Sequence, residues 1–223
     1  TKGGSRMNLK NIWSKLKYSH FIRLVRDGIS KTGIMIAPIY LVEERLHEGI
    51  SPEIKGDPHE YTIEYLTNED MPVIAALPIR KINVEKLVTQ LEQGQKCLGM
   101  KCNGELAAFI WIDREKCNLS GCGFKLNDNE AYLFDAYTME KYRGRGLAPY
   151  LRYECYKRLA EEGRTFIFSA VDVFNRPALK VLNKLNARKL ELWMRIFFFK
   201  KRHIVFHLKR YHFGDDTFSA VRA

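Results

Sequence analysis

The chain has 223 residues, 46% hydrophobic and 28% charged, enough for one sizeable core or a domain with an extension, and it is not a disordered composition. No apolar run reaches the roughly 20 residues of a membrane span, and the N-terminus lacks the apolar core and cleavage site of a secretory signal. The net charge of +11 points to phosphate-bearing partners: nucleic acid, anionic lipid or a nucleotide-bearing ligand.

Five cysteines, an odd count without paired spacing, fit reduced thiols in a cytoplasmic protein. Cys117 and Cys122 lack tight C-x-x-C spacing and a nearby histidine, so no metal is expected.

Thr1–Arg6 reads as an expression remnant ahead of a start at Met7. Lys10, Lys15, Lys17, Arg23, Arg26 and Lys31 then face only Asp27, and Leu9, Ile12, Trp13 and Leu16 share one helical face. Such a helix either lies on anionic lipid, a peripheral membrane contact, or packs on the domain or on a second subunit of a homodimer. Gly33–Val42 (GIMIAPIYLV) is apolar enough to need cover, as a strand or a dimer contact. Gly49, Pro52, Gly56 and Pro58 mark His47–Glu60 as a linker. The division is therefore a basic extension with linker at 1–57, a domain at 58–213 and a tail at 214–223.

YTIEYLT (Tyr61–Thr67) alternates and is β-branched, a strand. Asn68, Glu69 and Asp70 offer caps to a short helix, MPVIAAL, and a second helix is expected over Val84–Glu92. CLGMKC and ELAAFIWID flank Asn103-Gly104, the residues of a two-residue hairpin turn. A looser stretch, Arg114–Glu130, precedes the strand AYLFDAYT (Ala131–Thr138). Leu147, Leu151, Cys155 and Leu159 then build one apolar helical stripe, with Pro149 tolerated in the first turn and Gly163 as the stop. TFIFSAV is a strand buried on both faces, Asn175 caps the helix PALKVLNKL, and a long strand to Phe198 turns at Lys200–Arg202 into His203–Leu208. This order is a mixed α/β sheet.

Arg143-Gly144-Arg145-Gly146-Leu147-Ala148 stands between a strand and a helix. Its glycines let backbone N–H groups turn inward, and with the positive end of the helix dipole they form a pyrophosphate cradle. Arg143 and Arg145 add charge-assisted contacts. It is neither a Walker loop nor a dinucleotide fingerprint.

R-x-x-G-x-A in that setting resembles the signature of the GNAT superfamily of acyl-CoA-dependent N-acyltransferases, and AYTMEKYRGRGLA is similar to the family's strand and loop over its whole length. Asn175–Leu182 resembles the family's fourth-helix motif. The resemblance covers about two-thirds of the chain and implies a mostly antiparallel central sheet flanked by helices, with acetyl-CoA or another acyl-CoA as co-substrate. The pantetheine arm would lie between Ala131–Thr138 and Phe166–Val171, pairing with the backbone of Ala136, Tyr137 and Thr138. Gly144, Gly146, Leu147 and Ala148 would hold the diphosphate with the two arginines. Asn175 either contacts the arm or is a plain helix cap.

Asp135 precedes that ladder; alternation puts it on one face with Tyr137, and Phe134 with Ala136 on the other. It is the candidate general base, or else a structural hydrogen-bond acceptor, and Asp172 is the second candidate. The family's proton-donating tyrosine falls at Leu182, so general-acid catalysis from there is not expected. Cys155 reads as core packing, and His203 and His207 as structural or exposed.

The function expected is N-acyl transfer to the amine of a small molecule, an amino sugar first among them, by direct attack. The alternatives are a longer-chain transferase drawing on acyl carrier protein, or a non-catalytic binder of nucleic acid or an anionic surface. The glycine loop argues against nucleic acid.

Overall fold

The structure, a computed structural model, describes residues 33–47, 49, 51–77, 82–119, 121–199 and 202–211. The apolar stripe at Leu9, Ile12, Trp13 and Leu16 and the tail from residue 214 lie outside the described residues. Among the described residues ten strands and four α-helices follow in chain order: β1 Ile34–Glu44, β2 Tyr61–Tyr65, α1 Met71–Ala75, α2 Val84–Glu92, β3 Lys96–Cys102, β4 Glu105–Asp113, β5 Lys116–Cys117, β6 Phe124–Lys125, β7 Glu130–Thr138, α3 Leu147–Glu161, β8 Phe166–Asp172, α4 Arg176–Lys184, β9 Arg188–Phe198 and β10 Arg202–Arg210.

Eight strands form one sheet in the order β10-β9-β1-β8-β7-β4-β3-β2. Every neighbouring pair is antiparallel except β7 and β8. The fold is thus mixed α/β with a mostly antiparallel sheet. Local chemistry explains the short connections. Asn103 and Gly104 take φ of 50° and 82°, the left-handed pair that a two-residue hairpin needs between β3 and β4.

α3 and α4 cover one face of the sheet. The stripe Leu147, Leu151, Cys155 and Leu159 is buried against β3, β4, β7 and β8, each fully buried leucine contributing about 1.5–3 kcal/mol. α4 covers Val42 and Val171 through Leu182. On the other face α1 and α2 pack on Phe109 and Trp111. The stretch expected to be loose, 114–130, instead makes the short β5–β6 hairpin, and Cys117, Leu119 and Leu126 cover β1 and β8.

Two parts of the presumed extension belong to this architecture. β1 is an interior strand between β8 and β9, so the division at 57/58 separates a strand from both of its partners. The linker is laid against the domain: the Lys55 N–H donates to the Arg145 carbonyl at 2.8 Å, Ile54 packs on the main core and Pro52 is buried. No helix among the described residues is long and apolar enough to cross a membrane.

Candidate functional site

β7 and β8 pair only from Glu130↔Phe166 to Leu133↔Ser169, then splay, while β7 stays paired to β4 as far as Thr138. One edge of β7 is thereby opened beside β8. A cleft of about 970 Å³ fills the gap. Its walls are Ala136–Thr138, the loop and first turn of α3, and the turn from Asp172 into α4.

The splay coincides with a break in the β7–β4 register. Phe109 is opposite Tyr137 and Trp111 opposite Phe134, so β7 spends one residue more than β4 over this span. Asp135 absorbs it with φ of 52°, the left-handed conformation of a β-bulge. The bulge overturns the alternation read from sequence. Phe134 stacks on Trp111 and Tyr137 packs on Phe109, so those two share a face. Asp135 itself is exposed rather than buried, and it is not among the residues that line the cleft.

The glycine loop leads into α3 through Gly144 and Gly146, at φ of 80° and 83°. A Cβ on Gly146 would come within 2.5 Å of the Glu53 carbonyl oxygen, so this glycine is required by the linker lying against it. Tyr150 N–H is bonded to the Gly146 carbonyl, and Pro149 has no N–H, which leaves the amides of Leu147 and Ala148 as the first-turn donors without a hydrogen-bond partner among the described residues. Gly144, Gly146, Leu147 and Ala148 all line the cleft.

Arg143 lines it too, with its Nη2 donating to the Tyr137 hydroxyl at 3.2 Å and its Nε to the Thr138 carbonyl at 3.3 Å. Arg145 does not: it turns to the Tyr61 hydroxyl at 3.4 Å and over the Tyr142 ring. Of the two arginines expected at the diphosphate, only Arg143 lines the cleft. Asn175 lines the cleft and caps α4, accepting from the Ala178 N–H at 3.2 Å, as its helix-cap reading requires.

Asp172 is the one carboxylate among the cleft residues, accepting from the Phe174 N–H at 2.7 Å. Leu182 is buried against Val42 and Val171 and offers no hydroxyl. Cys155 is buried, and that burial pushes its thiol up to about 12, which suits packing and not nucleophilic attack. None of the five cysteines is disulfide-bonded. Among the described residues no cluster of His, Cys, Asp or Glu is placed to hold a metal.

One part of the site went unread in the sequence. Arg152, one turn after Ala148 on α3, lines the cleft and is bonded to the buried Glu44 carboxylate of β1, with one contact at 2.6 Å. Tyr156 and Ser169 donate to the same carboxylate. Burial alone would lower the Arg152 pKa, but Glu44 more than offsets it and the guanidinium stays charged. The signal available was an arginine and a serine among otherwise apolar neighbours; their partner lay far upstream.

The acetyltransferase (GNAT) family model matches residues 60–187, more than half of the chain. The chain belongs to that family. Solved structures of similar fold include a Drosophila protein at 18% identity, covering 80% of this chain and 57% of its own, with a TM-score of 0.55. A tandem GNAT protein from the clavulanic acid biosynthesis pathway has 14% identity, 79% and 55% coverage and a TM-score of 0.54. A GNAT-family protein from Novosphingobium aromaticivorans has 21% identity, 74% and 66% coverage and a TM-score of 0.51. The chain thus spans between just over half and about two thirds of these GNAT-fold proteins. No curated protein matches it. The family match begins after β1, although the sheet of this GNAT domain includes that strand.

Proposed function

We propose that the chain is an N-acyltransferase that takes an acetyl group from acetyl-CoA and delivers it to the amine of a small molecule. The observation that carries this reading is the open edge of β7 running into the glycine loop and the N-terminus of α3. An extended arm ending in a diphosphate fits a strand edge followed by unsatisfied amides at a positive helix end. Arg143 adds positive charge to the same cleft, where the charge of Arg152 is matched by Glu44.

Coenzyme A would supply the acyl group as a thioester. The chain's residues do the rest: Ala136–Thr138 offer backbone groups to orient the arm, and Gly144, Gly146, Leu147 and Ala148 receive the diphosphate. Asp172 takes the proton that an ammonium acceptor must lose before its nitrogen bonds to the acyl carbon and the carbon–sulfur bond breaks. An amino sugar is the first acceptor to test, because it brings an amine to a cleft whose carboxylate is Asp172 and hydroxyls that the Asn175 amide can bond. The basic, soluble exterior suits a cytoplasmic enzyme meeting anionic ligands.

The test is a thermal shift with coenzyme A, followed by a screen of amino sugars and polyamines for thiol release. A hundredfold excess over the dissociation constant should raise the melting temperature by about 5–10 °C. Arg143→Glu, at an exposed position, should leave the ligand-free melting temperature nearly unchanged and remove most of that rise. An equal rise in the variant would sink the assignment of the cleft.

A further inference from the structure

Three strands project beyond the cleft end of the sheet. β8 stops at Asp172, opposite Ile39, and Val173 reaches only the Pro38 carbonyl. β1 continues back to Ile34, and β9 and β10 accompany it to Phe198 and Arg202. The overrun from Pro38 to Ile34 is about 17 Å of strand. Because β7 and β8 are parallel, their C-terminal ends and the cleft lie at this same end of the sheet.

The projecting tip is apolar and basic at once. Phe199 is 70% exposed, Ile204 48%, Phe206 47% and Met35 47%, all unusually high for such side chains. Residues 34–38, 193–198 and 202–207 contain no Asp or Glu, but do contain Arg195, Arg202, His203 and His207. Lys200 and Lys201, which join β9 to β10, lie outside the described residues and add two positive charges by sequence. The Phe199 N–H donates to the Gly33 carbonyl at 2.7 Å, so the basic segment that precedes Gly33 is attached at this tip.

We propose that this tip docks on an anionic lipid surface, with the mouth of the cleft at the same end of the sheet. Exposed aromatic and aliphatic side chains beside the exposed Arg202, on strand ends without acidic residues, match an interface that is apolar beneath and negatively charged above. Nucleic acid fits less well, since Ile204 and Met35 offer no flat face for a base to stack on. A second copy fits less well too. Antiparallel pairing of two β10 edges would set Arg202 of one chain against Lys209 and Arg210 of the other, like against like.

This inference is independent of how the cleft is read, and its test keeps the two apart. Full-length protein should co-sediment with phosphatidylcholine vesicles containing phosphatidylglycerol, not with phosphatidylcholine alone, and added salt should release it. Replacing Phe199 and Phe206 by Ser together with Arg202→Glu should cut vesicle binding by about tenfold or more, with the coenzyme A thermal shift retained. Should that chain melt early, Arg202→Glu alone, at an exposed edge position, should still weaken binding by about threefold or more. No binding to the anionic vesicles, or equal binding by wild type and Arg202→Glu, overturns the proposal. Tighter binding to single-stranded RNA than to vesicles also overturns it, in favour of nucleic acid. Loss of the coenzyme A shift with vesicle binding intact counts against the cleft reading alone.

Discussion

At Asp135 the backbone takes a φ of 52° and β7 falls one residue out of step with β4. That single residue changes which carboxylate faces the cleft, since Asp135 stays outside it and Asp172 lines it. Asp172→Asn keeps an oxygen for the Phe174 N–H but loses basicity, and should lower turnover on the order of 10²-fold with the coenzyme A shift intact. Asp135→Asn should change turnover by less than about threefold. Steady-state kinetics with an identified acceptor decide the matter, and a large loss at Asp135 alone would move the proton acceptor to the bulge. The geometry of the glycine loop was largely legible because glycine, arginine and a helix start are local signals. The bulge was not: nothing in the alternation of AYLFDAYT marks where one residue leaves the ladder. Arg145 was misplaced for a similar reason, because Tyr61, its partner, is 84 residues away in sequence.

Elements with their own periodicity or turn residues were read nearly to the residue, as with α2 over Val84–Glu92 and β4 after the Asn103-Gly104 turn. What local pattern leaves out is pairing between distant segments. Gly33–Val42 showed that it needed cover, yet nothing in it names β8 and β9 as the strands that supply it. β5 and β6 are two residues each, too short to show any period. Glu44 ties β1, α3 and β8 together through Arg152, Tyr156 and Ser169. Glu44→Ala would leave a buried guanidinium and two hydroxyls without their acceptor, and should cost about 3–5 kcal/mol. Urea unfolding would show this as a lower midpoint at unchanged slope. A loss under about 1 kcal/mol would mean that water replaces the carboxylate.

For the whole molecule, the family match and the apparent linker both suggest a domain that begins near residue 58, whereas the sheet reaches back to Ile34. A chain starting at Pro58 would expose the edges of β8 and β9 and remove Ile39, Leu41 and Val42 from the core. It should be insoluble or melt without cooperativity, whereas a chain starting at Gly33 should keep both its transition and the coenzyme A shift. Equal melting of the two would make β1 dispensable. The order of synthesis adds a further consequence of this insertion. Glu44 and Ser169 are 125 residues apart, so β1 leaves the ribosome on the order of ten seconds before β8 can meet it. β2, β3, β4 and β7 can assemble meanwhile from near neighbours, but the apolar β1 must wait unpaired. Only when β8 arrives does the gap beside β7 acquire its second wall, and only then can β1 and β9 close the far side. The cleft is among the last parts of the molecule to come into being.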